Sequence, residues 1–222
     1  MSLGIFGDSH AYNITNSWPY LLNKHYHTEH YAMFGTSVWN SFKKFSKHYS
    51  KHSYIVFTYT NANRIHHLPE EIEHLQFSIT APLIKNAVPK LYEKQMQAVW
   101  EAHRLIYDLQ LAEYINQHVF NDVNLICKNN NIRLINLLPY ENAGFDDSIK
   151  SLDLSQAAGP CITGLRWVSD CELEQPLSDK PDVRACHLSP ENNVILHKMI
   201  LDLLNSNEQC TIHLKDSEFF AK

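Results

Sequence analysis

This chain has few glycines, no paired cysteine motif, no surplus of positive charge and no long apolar run. It has only six glycines in 222 residues, against about 7% in an average protein, so each glycine is expected where the backbone requires one. Its five cysteines are odd in number and form no Cys-x-x-Cys pair. That usage favours reduced thiols in a cytoplasm over a disulfide framework or a zinc ribbon.

The lack of a long apolar run and of a cationic surplus limits the partners that this protein is expected to have. No run reaches the ~18 residues of a bilayer span, and the first residues lack the basic and long apolar segments of a signal peptide. Lys and Arg total 19 against 24 Asp and Glu, a net charge of -5, whereas phosphate neutralisation needs a cationic surplus. We expect a soluble cytoplasmic protein without a membrane or nucleic-acid partner.

The residues that are present describe a folded domain. Hydrophobic residues make up 44% and charged residues 19%, which indicates one globular domain over residues 1–222. The sequence predicts four strands, at Leu3–Phe6, His30–Phe34, Tyr54–Tyr59 and Ile132–Pro139, and the first and last are expected to be buried. Strands separated by helices predict an α/β domain whose mainly parallel sheet is covered on both faces.

The predicted helices lie between and after these strands. Helices are expected at Ser17–Asn23, at Lys90–Asn129 with one break, and from Pro190 onward with Ser189 as N-cap. In the long stretch an apolar stripe is formed by Val99, Ala102, Ile106, Leu109, Ala112 and Ile115. The interval 141–182 has little periodicity, and we interpret it as an irregular insertion that walls a pocket.

Polar residues follow the predicted strands, where ligands bind in parallel α/β sheets. Ser9 follows the first strand, Gly35 the second, and an asparagine-rich turn the third, while His187 precedes the last helix. A serine hydroxyl needs a base such as histidine to become nucleophilic, and the oxyanion it creates needs fixed N–H donors. This set fits ester hydrolysis. The alternative for Asp8-Ser9 is simply to cap the next helix.

The segment Gly4-Ile5-Phe6-Gly7-Asp8-Ser9-His10 resembles the first block of the GDSL-type SGNH hydrolases. Phe34-Gly35-Thr36-Ser37 is similar to their second block, and the likeness covers nearly the whole chain in order and spacing. The resemblance implies a three-layer α/β/α sandwich with a flavodoxin-like sheet and a serine esterase or O-deacylase that uses no cofactor. It also implies small O-acyl substrates, such as acetyl esters of carbohydrates.

Two blocks depart from the family pattern. Where the family has Gly-x-Asn-Asp, this chain has Asn61-Ala62-Asn63-Arg64, so the oxyanion amide is Asn63 if Asn61 takes the glycine role, and otherwise Asn61. We prefer Asn63.

The second departure is the acid. The family places Asp three residues before the histidine, and Arg184 stands there instead, with Asp182 and Asp179 the nearest carboxylates upstream. Either carboxylate could orient His187. Alternatively, Arg184 pairs with Asp182 and a Ser-His dyad operates.

The resulting prediction is a serine-dependent ester hydrolase. Ser9 is the nucleophile, His187 the base and Asp182 the orienting acid, with Ser9, Gly35 and Asn63 or Asn61 as oxyanion donors. The alternatives are a non-catalytic module of the same fold that binds a glycan or a protein, and an acyltransferase that uses the same residues. The His25-x-His27 spacing could suggest a metal site, but nothing completes a ligand set, so no metal is expected.

Overall fold

The computed structural model describes residues 2–33, 36–60, 98, 101, 105, 108–139, 148–154, 188, 190–207 and 211–213. Within them the strands are β1 Ser2–Phe6, β2 His27–His30, β3 Tyr54–Thr58, β4 Arg133–Leu138, β5 Ser151–Asp153 and β6 Thr211–His213. The α-helices are α1 Trp18–Leu22, α2 Val38–His48, α3 Leu109–Asn129 and α4 Pro190–Asn205. Short 3-10 helices cover Ser9–Ala11 and Tyr49–Lys51.

The strands form one parallel sheet in the order β2-β1-β3-β4-β5-β6. Helices α1 and α4 pack on one face and helices α2 and α3 on the other. The protein is therefore a three-layer α/β/α sandwich with a flavodoxin-like sheet, which confirms the predicted fold class. Among the described helices, none has the length and apolar character needed to cross a membrane.

Alternating side chains of the central strands supply the two halves of the core. In β1, Leu3 and Ile5 join the cluster under α1 and α4, whereas Phe6 joins the cluster under α2 and α3. In β3, Ile55 and Phe57 share the second cluster. Because both faces of these strands are buried, the sequence shows continuous apolar runs instead of the alternation of a half-exposed sheet.

Strand β2 lies three residues earlier than the predicted His30–Phe34. Its residues pair with Ser2–Ile5 of β1, and the extended chain continues beyond it, since Tyr31 N donates to Ile5 O (2.8 Å) and Met33 N to Gly7 O (3.1 Å). β2 is an edge strand of polar, partly exposed residues. Its apolar content is too low to mark its start, so the prediction followed the more apolar residues after it.

Two further strands were not predicted. β5 falls inside the interval 141–182, which was expected to be irregular; its residues pair with Asn136–Leu138 of β4, and β6 in turn pairs with β5. Three residues are too few to show a period. The rest of that interval, 141–147 and 155–182, lies outside the described residues.

The helix boundaries follow capping side chains. Ser17 Oγ caps α1 and Asp108 caps α3 by accepting from Gln110 N at 2.9 Å. This new helix start interrupts the predicted apolar stripe, and Leu109 is 49% exposed instead of buried, while Ala112 faces the core. The last helix begins at Pro190 as predicted.

Candidate functional site

Ser9 lies at the carboxyl end of β1, in the turn that leaves the sheet. The strand ends at Phe6, and Ser9 is the first residue of the 3-10 helix Ser9–Ala11, with only 9% of its surface exposed. Strand β1 lies between β2 and β3, and the chain runs from β1 to β2 on one side but from β3 to β4 on the other. Such a switch point opens a crevice at the strand ends, where α/β proteins bind ligands.

The residue before Ser9 holds this turn. Asp8 is the N-cap of the short helix, and its Oδ1 accepts a hydrogen bond from His10 N at 3.0 Å. The capping role that we considered for the Asp8-Ser9 pair therefore belongs to Asp8. Its other oxygen, Oδ2, is buried and has no hydrogen-bond partner among the described residues.

Of the predicted site residues, only Ser9 belongs to the described part of the chain. Gly35, Asn61, Asn63, Asp182 and His187 lie outside the described residues, as do Asp179 and Arg184. Gly35, Asn61 and His187 do have described chain neighbours, which lie near the carboxyl end of a strand or just before a helix.

The neighbours of Gly35 and of the asparagine turn lie at the carboxyl ends of β1 and β3. Met33 N donates to Gly7 O, and Thr36, on the other side of Gly35, is buried. Thr60, which precedes Asn61, is fully buried, and its carbonyl accepts from Asn116 Nδ2 at 3.1 Å. Met33 and Thr60, the last described residues before Gly35 and Asn61, therefore lie at the same edge of the sheet as Ser9.

A hydrogen-bonded chain links the neighbour of His187 to the neighbour of Ser9. Asn193 Nδ2 donates to Leu188 O at 2.9 Å, and Asn193 Oδ1 accepts from Trp18 N at 2.9 Å. Trp18 Nε1 donates in turn to His10 O, also at 2.9 Å. Leu188 and Ala11 belong to the same buried apolar cluster. We name Leu188, Asn193, Trp18 and His10 the clamp.

Sequence reasoning missed Asn193 and Asn116, although both left a signal. Asn116 follows Ala112 by one helical turn, on the buried face of α3, and Asn193 lies in the first turn of α4; their exposed fractions are 1% and 6%. A polar residue at a position that should be apolar is expected to have a hydrogen-bonding role, because a buried amide needs partners.

More buried polar groups surround the strand ends. Asn40 in the first turn of α2 is fully buried, and neither atom of its side-chain amide has a partner in the described structure. The hydroxyls of Thr58, at the end of β3, and of Ser41 are likewise buried and have no hydrogen-bond partner among the described residues. Buried polar groups without partners are rare in folded proteins and concentrate where a ligand or water completes the site.

Other reactive side chains belong to packing. The rings of His25 and His197 stack at 5.3 Å between α1 and α4, and burial lowers the pKa of His197. No group of three metal-ligand side chains occurs within the residues the structure describes. Burial raises the pKa of the Cys127 thiol to about 12, which keeps it protonated and unreactive.

Comparison of the chain with models of known families, with characterised proteins and with solved structures finds no match.

Proposed function

We propose that this protein is a serine-dependent ester hydrolase of the SGNH type, with Ser9 as its nucleophile. The observation that carries the proposal is the position of Ser9: it follows β1 directly, at the switch point of a flavodoxin-like parallel sheet. The clamp adds support, because it connects the residue after Ser9 to the residue after His187.

In the proposed reaction Ser9 Oγ attacks the ester carbonyl while His187 takes the hydroxyl proton. His187 then gives that proton to the leaving alcohol, and the acyl group remains on Ser9. A water molecule, deprotonated by the same imidazole, releases the acid and restores the serine.

The oxyanion of each tetrahedral intermediate is assigned to N–H donors at the strand ends. We assign the donors to the backbone of Ser9 and Gly35 and to the Asn63 side chain, with Asn61 as the alternative. Asp8 supports this arrangement, since its carboxylate takes the N–H of His10 and so fixes the first turn of the 3-10 helix. Removing one such donor typically costs 10²–10³-fold in rate, about 3–4 kcal/mol.

Asp182 is the proposed orienting acid for His187. A carboxylate on the far imidazole nitrogen selects the productive tautomer and stabilises the imidazolium. If Arg184 neutralises Asp182 instead, the enzyme works as a Ser-His dyad with slower turnover.

For the substrate we propose a small O-acyl ester, with an acetylated carbohydrate as the leading class, as the family resemblance implies. The proposed location is the cytoplasm. The protonated, buried thiol of Cys127 is consistent with it, since this cysteine is free and contributes to the core under α3.

The test is covalent labelling with a fluorophosphonate probe together with hydrolysis of p-nitrophenyl acetate. We expect both in the wild type and neither in Ser9→Ala. Ser46→Ala is the matched control, because this serine is exposed on α2 and, among the residues that the structure describes, bonds only to backbone carbonyls of its own helix. Labelling should be unchanged there.

The outcomes separate the proposed function from its rivals. A folded wild type that is neither labelled nor active contradicts the hydrolase and favours a non-catalytic binding module. If the protein is labelled and transfers the acyl group to added alcohols faster than it hydrolyses the ester, it is an acyltransferase. Labelling that persists in Ser9→Ala assigns the nucleophile to another residue.

A further inference from the structure

We infer that Asn193 is a positioning residue, which holds the chain carrying His187 in register with the turn carrying Ser9. The inference rests on the proposed function. Its basis is the clamp, in which three hydrogen bonds of 2.9 Å run from Leu188 O through Asn193 and Trp18 to His10 O.

Asn193 suits this role chemically. Its carboxamide acts in both directions at once, since the oxygen accepts from Trp18 N and the nitrogen donates to Leu188 O. Aspartate could accept but, when ionised, could not donate, and leucine of similar size could do neither. With 6% of its surface exposed, the side chain has little access to replacement water.

Trp18 extends the connection across the molecule. It is the first residue of α1, so its backbone N–H has no acceptor within the helix and is satisfied by Asn193. Its indole Nε1 reaches His10 O, and its ring is 1% exposed in the cluster under α1 and α4. Close packing fixes the position of the Trp18 ring. The hydrogen bonds at its two ends therefore fix Asn193 relative to His10.

The consequence is catalytic because each end of the clamp lies one residue from a proposed reacting group. Leu188 follows His187 and His10 follows Ser9. Proton transfer from a hydroxyl to an imidazole requires the two atoms within about 3 Å. A displacement of ~1 Å lowers the rate by about 10²-fold.

The experiment compares Asn193→Asp with Asn205→Asp. Both substitutions replace a carboxamide in α4 that donates to a backbone carbonyl. Asn205, however, is exposed, and within the described part of the chain its side chain bonds only to Leu201 O, outside the clamp. The time course of fluorophosphonate labelling is measured from pH 5 to 9, with kcat and KM for p-nitrophenyl acetate.

We expect Asn193→Asp to label to the wild-type end point about 100-fold more slowly, with kcat reduced and KM nearly unchanged. The apparent pKa of its pH–rate profile should also differ from that of the wild type. A purely structural role predicts a different result, namely a smaller labelled fraction that reacts at the wild-type rate and with the wild-type pH profile. Asn205→Asp should match the wild type in every measurement.

Trp18→Phe is the second variant if Asn193→Asp does not fold, since it keeps an aromatic ring and removes the donor to His10 O. Its smaller ring also leaves a cavity, so its stability is measured beside its labelling rate. Wild-type labelling rates in the folded variants would overturn the inference while leaving the proposed function intact. Absence of labelling in the wild type itself would reject the proposed function, and the inference with it.

Discussion

Gly7 and Thr58 lie in contact where β1 and β3 end, close enough to exclude any side chain at position 7. A Cβ built on Gly7 would stand 2.6 Å from Thr58 Cβ and 2.9 Å from Thr58 O. The φ angle of Gly7 is 144°, a conformation that residues with a side chain rarely adopt. The turn that carries Ser9 therefore needs glycine for two reasons: Thr58 leaves no room for a Cβ, and the backbone conformation disfavours residues that have one.

Gly7→Ala should consequently destabilise the fold by about 3 kcal/mol and lower the rate of Ser9 labelling in whatever protein still folds. The measurements are urea unfolding and the labelling time course. Gly4→Ala is the control, because its added Cβ would meet only side chains, His52 Cδ2 at 2.6 Å and Phe6 Cε2 at 2.8 Å, and no positive φ is involved. We expect a smaller loss of stability there and an unchanged labelling rate. Equal effects at both positions would refute the special role of the turn.

Asn40→Leu tests the buried amide in α2. Because neither of its amide atoms has a partner among the described residues, an apolar side chain of the same size should raise the free energy of unfolding by about 1–3 kcal/mol. If activity falls at the same time, the amide serves the site at the expense of stability. A variant that loses stability would instead indicate that bound water or another group satisfies Asn40.

Tyr59→Phe tests the polar network between β3 and β4. Tyr59 Oη donates to Asn136 Oδ1 at 3.0 Å, while Asn136 Nδ2 donates to Asn124 Oδ1 and Lys150 O. Losing the hydroxyl leaves a buried amide oxygen without this donor and should cost about 1–3 kcal/mol in thermal or denaturant unfolding. Tyr20→Phe, at a partly exposed ring, is the control and should cost less than about 0.5 kcal/mol.

His30 predicts an acid-sensitive step in stability. Burial lowers its pKa from 6.5 to about 4. Its Nε2 lies 3.1 Å from Asn23 Oδ1, whereas its buried Nδ1 has no hydrogen-bond partner among the described residues, so a proton added there would have no acceptor. Between pH 6.5 and about 4, His30 therefore binds a proton in the unfolded chain but stays neutral in the folded protein. Stability should fall as the pH drops from 6.5 towards 4.

The expected loss is about 1–2 kcal/mol, because partial exposure of the ring reduces the penalty. Unfolding curves between pH 4 and 7.5 should show it in the wild type and a flatter profile in His30→Gln. His27→Gln, at an exposed position on the same strand, should retain the wild-type profile. The prediction is wrong if His30→Gln keeps the same slope.

Asp182→Asn tests the orienting acid. If Asp182 orients His187, kcat should fall strongly, by up to about 10⁴-fold as in a complete serine triad. Asp179→Asn is the matched control, and only one of the two should matter. If Asp182→Asn keeps wild-type activity and Asp179→Asn loses it, Asp179 is the orienting acid. If both variants keep wild-type activity, the enzyme works as a Ser-His dyad.

The sequence predicted the parts of the fold that contain repeated local signals. Strand β3 is β-branched or aromatic throughout and fully buried, and it was found where expected. Pro190 begins the last helix, as its fixed φ favours. The α/β/α arrangement followed from the alternation of such segments and is confirmed by the parallel sheet.

Other features depend on partners distant in the sequence. β5 has only three residues and is defined by its pairing with β4. The edge position of β2 and the exposure of Leu109 likewise depend on which elements lie beside them. At the candidate site, Ser9 was found at the strand end as predicted, but the link through Asn193 joins residues 175 positions apart, and no local pattern encodes it.

The separation of Trp18 and Asn193 also determines when the molecule can be completed during synthesis. At about 5–20 residues per second, a ribosome that has added Trp18 needs roughly 9–35 s to reach Asn193, 175 positions later. Until α4 is made, one face of the sheet lacks the apolar side chains that this helix provides, namely Leu196, Ile200, Leu203 and Leu204. The exposed hydrophobic surface can then bind chaperones or aggregate. The fourth of the described helices thus completes the cover of this face, and a chain whose synthesis is terminated before α4 would lack that part of it.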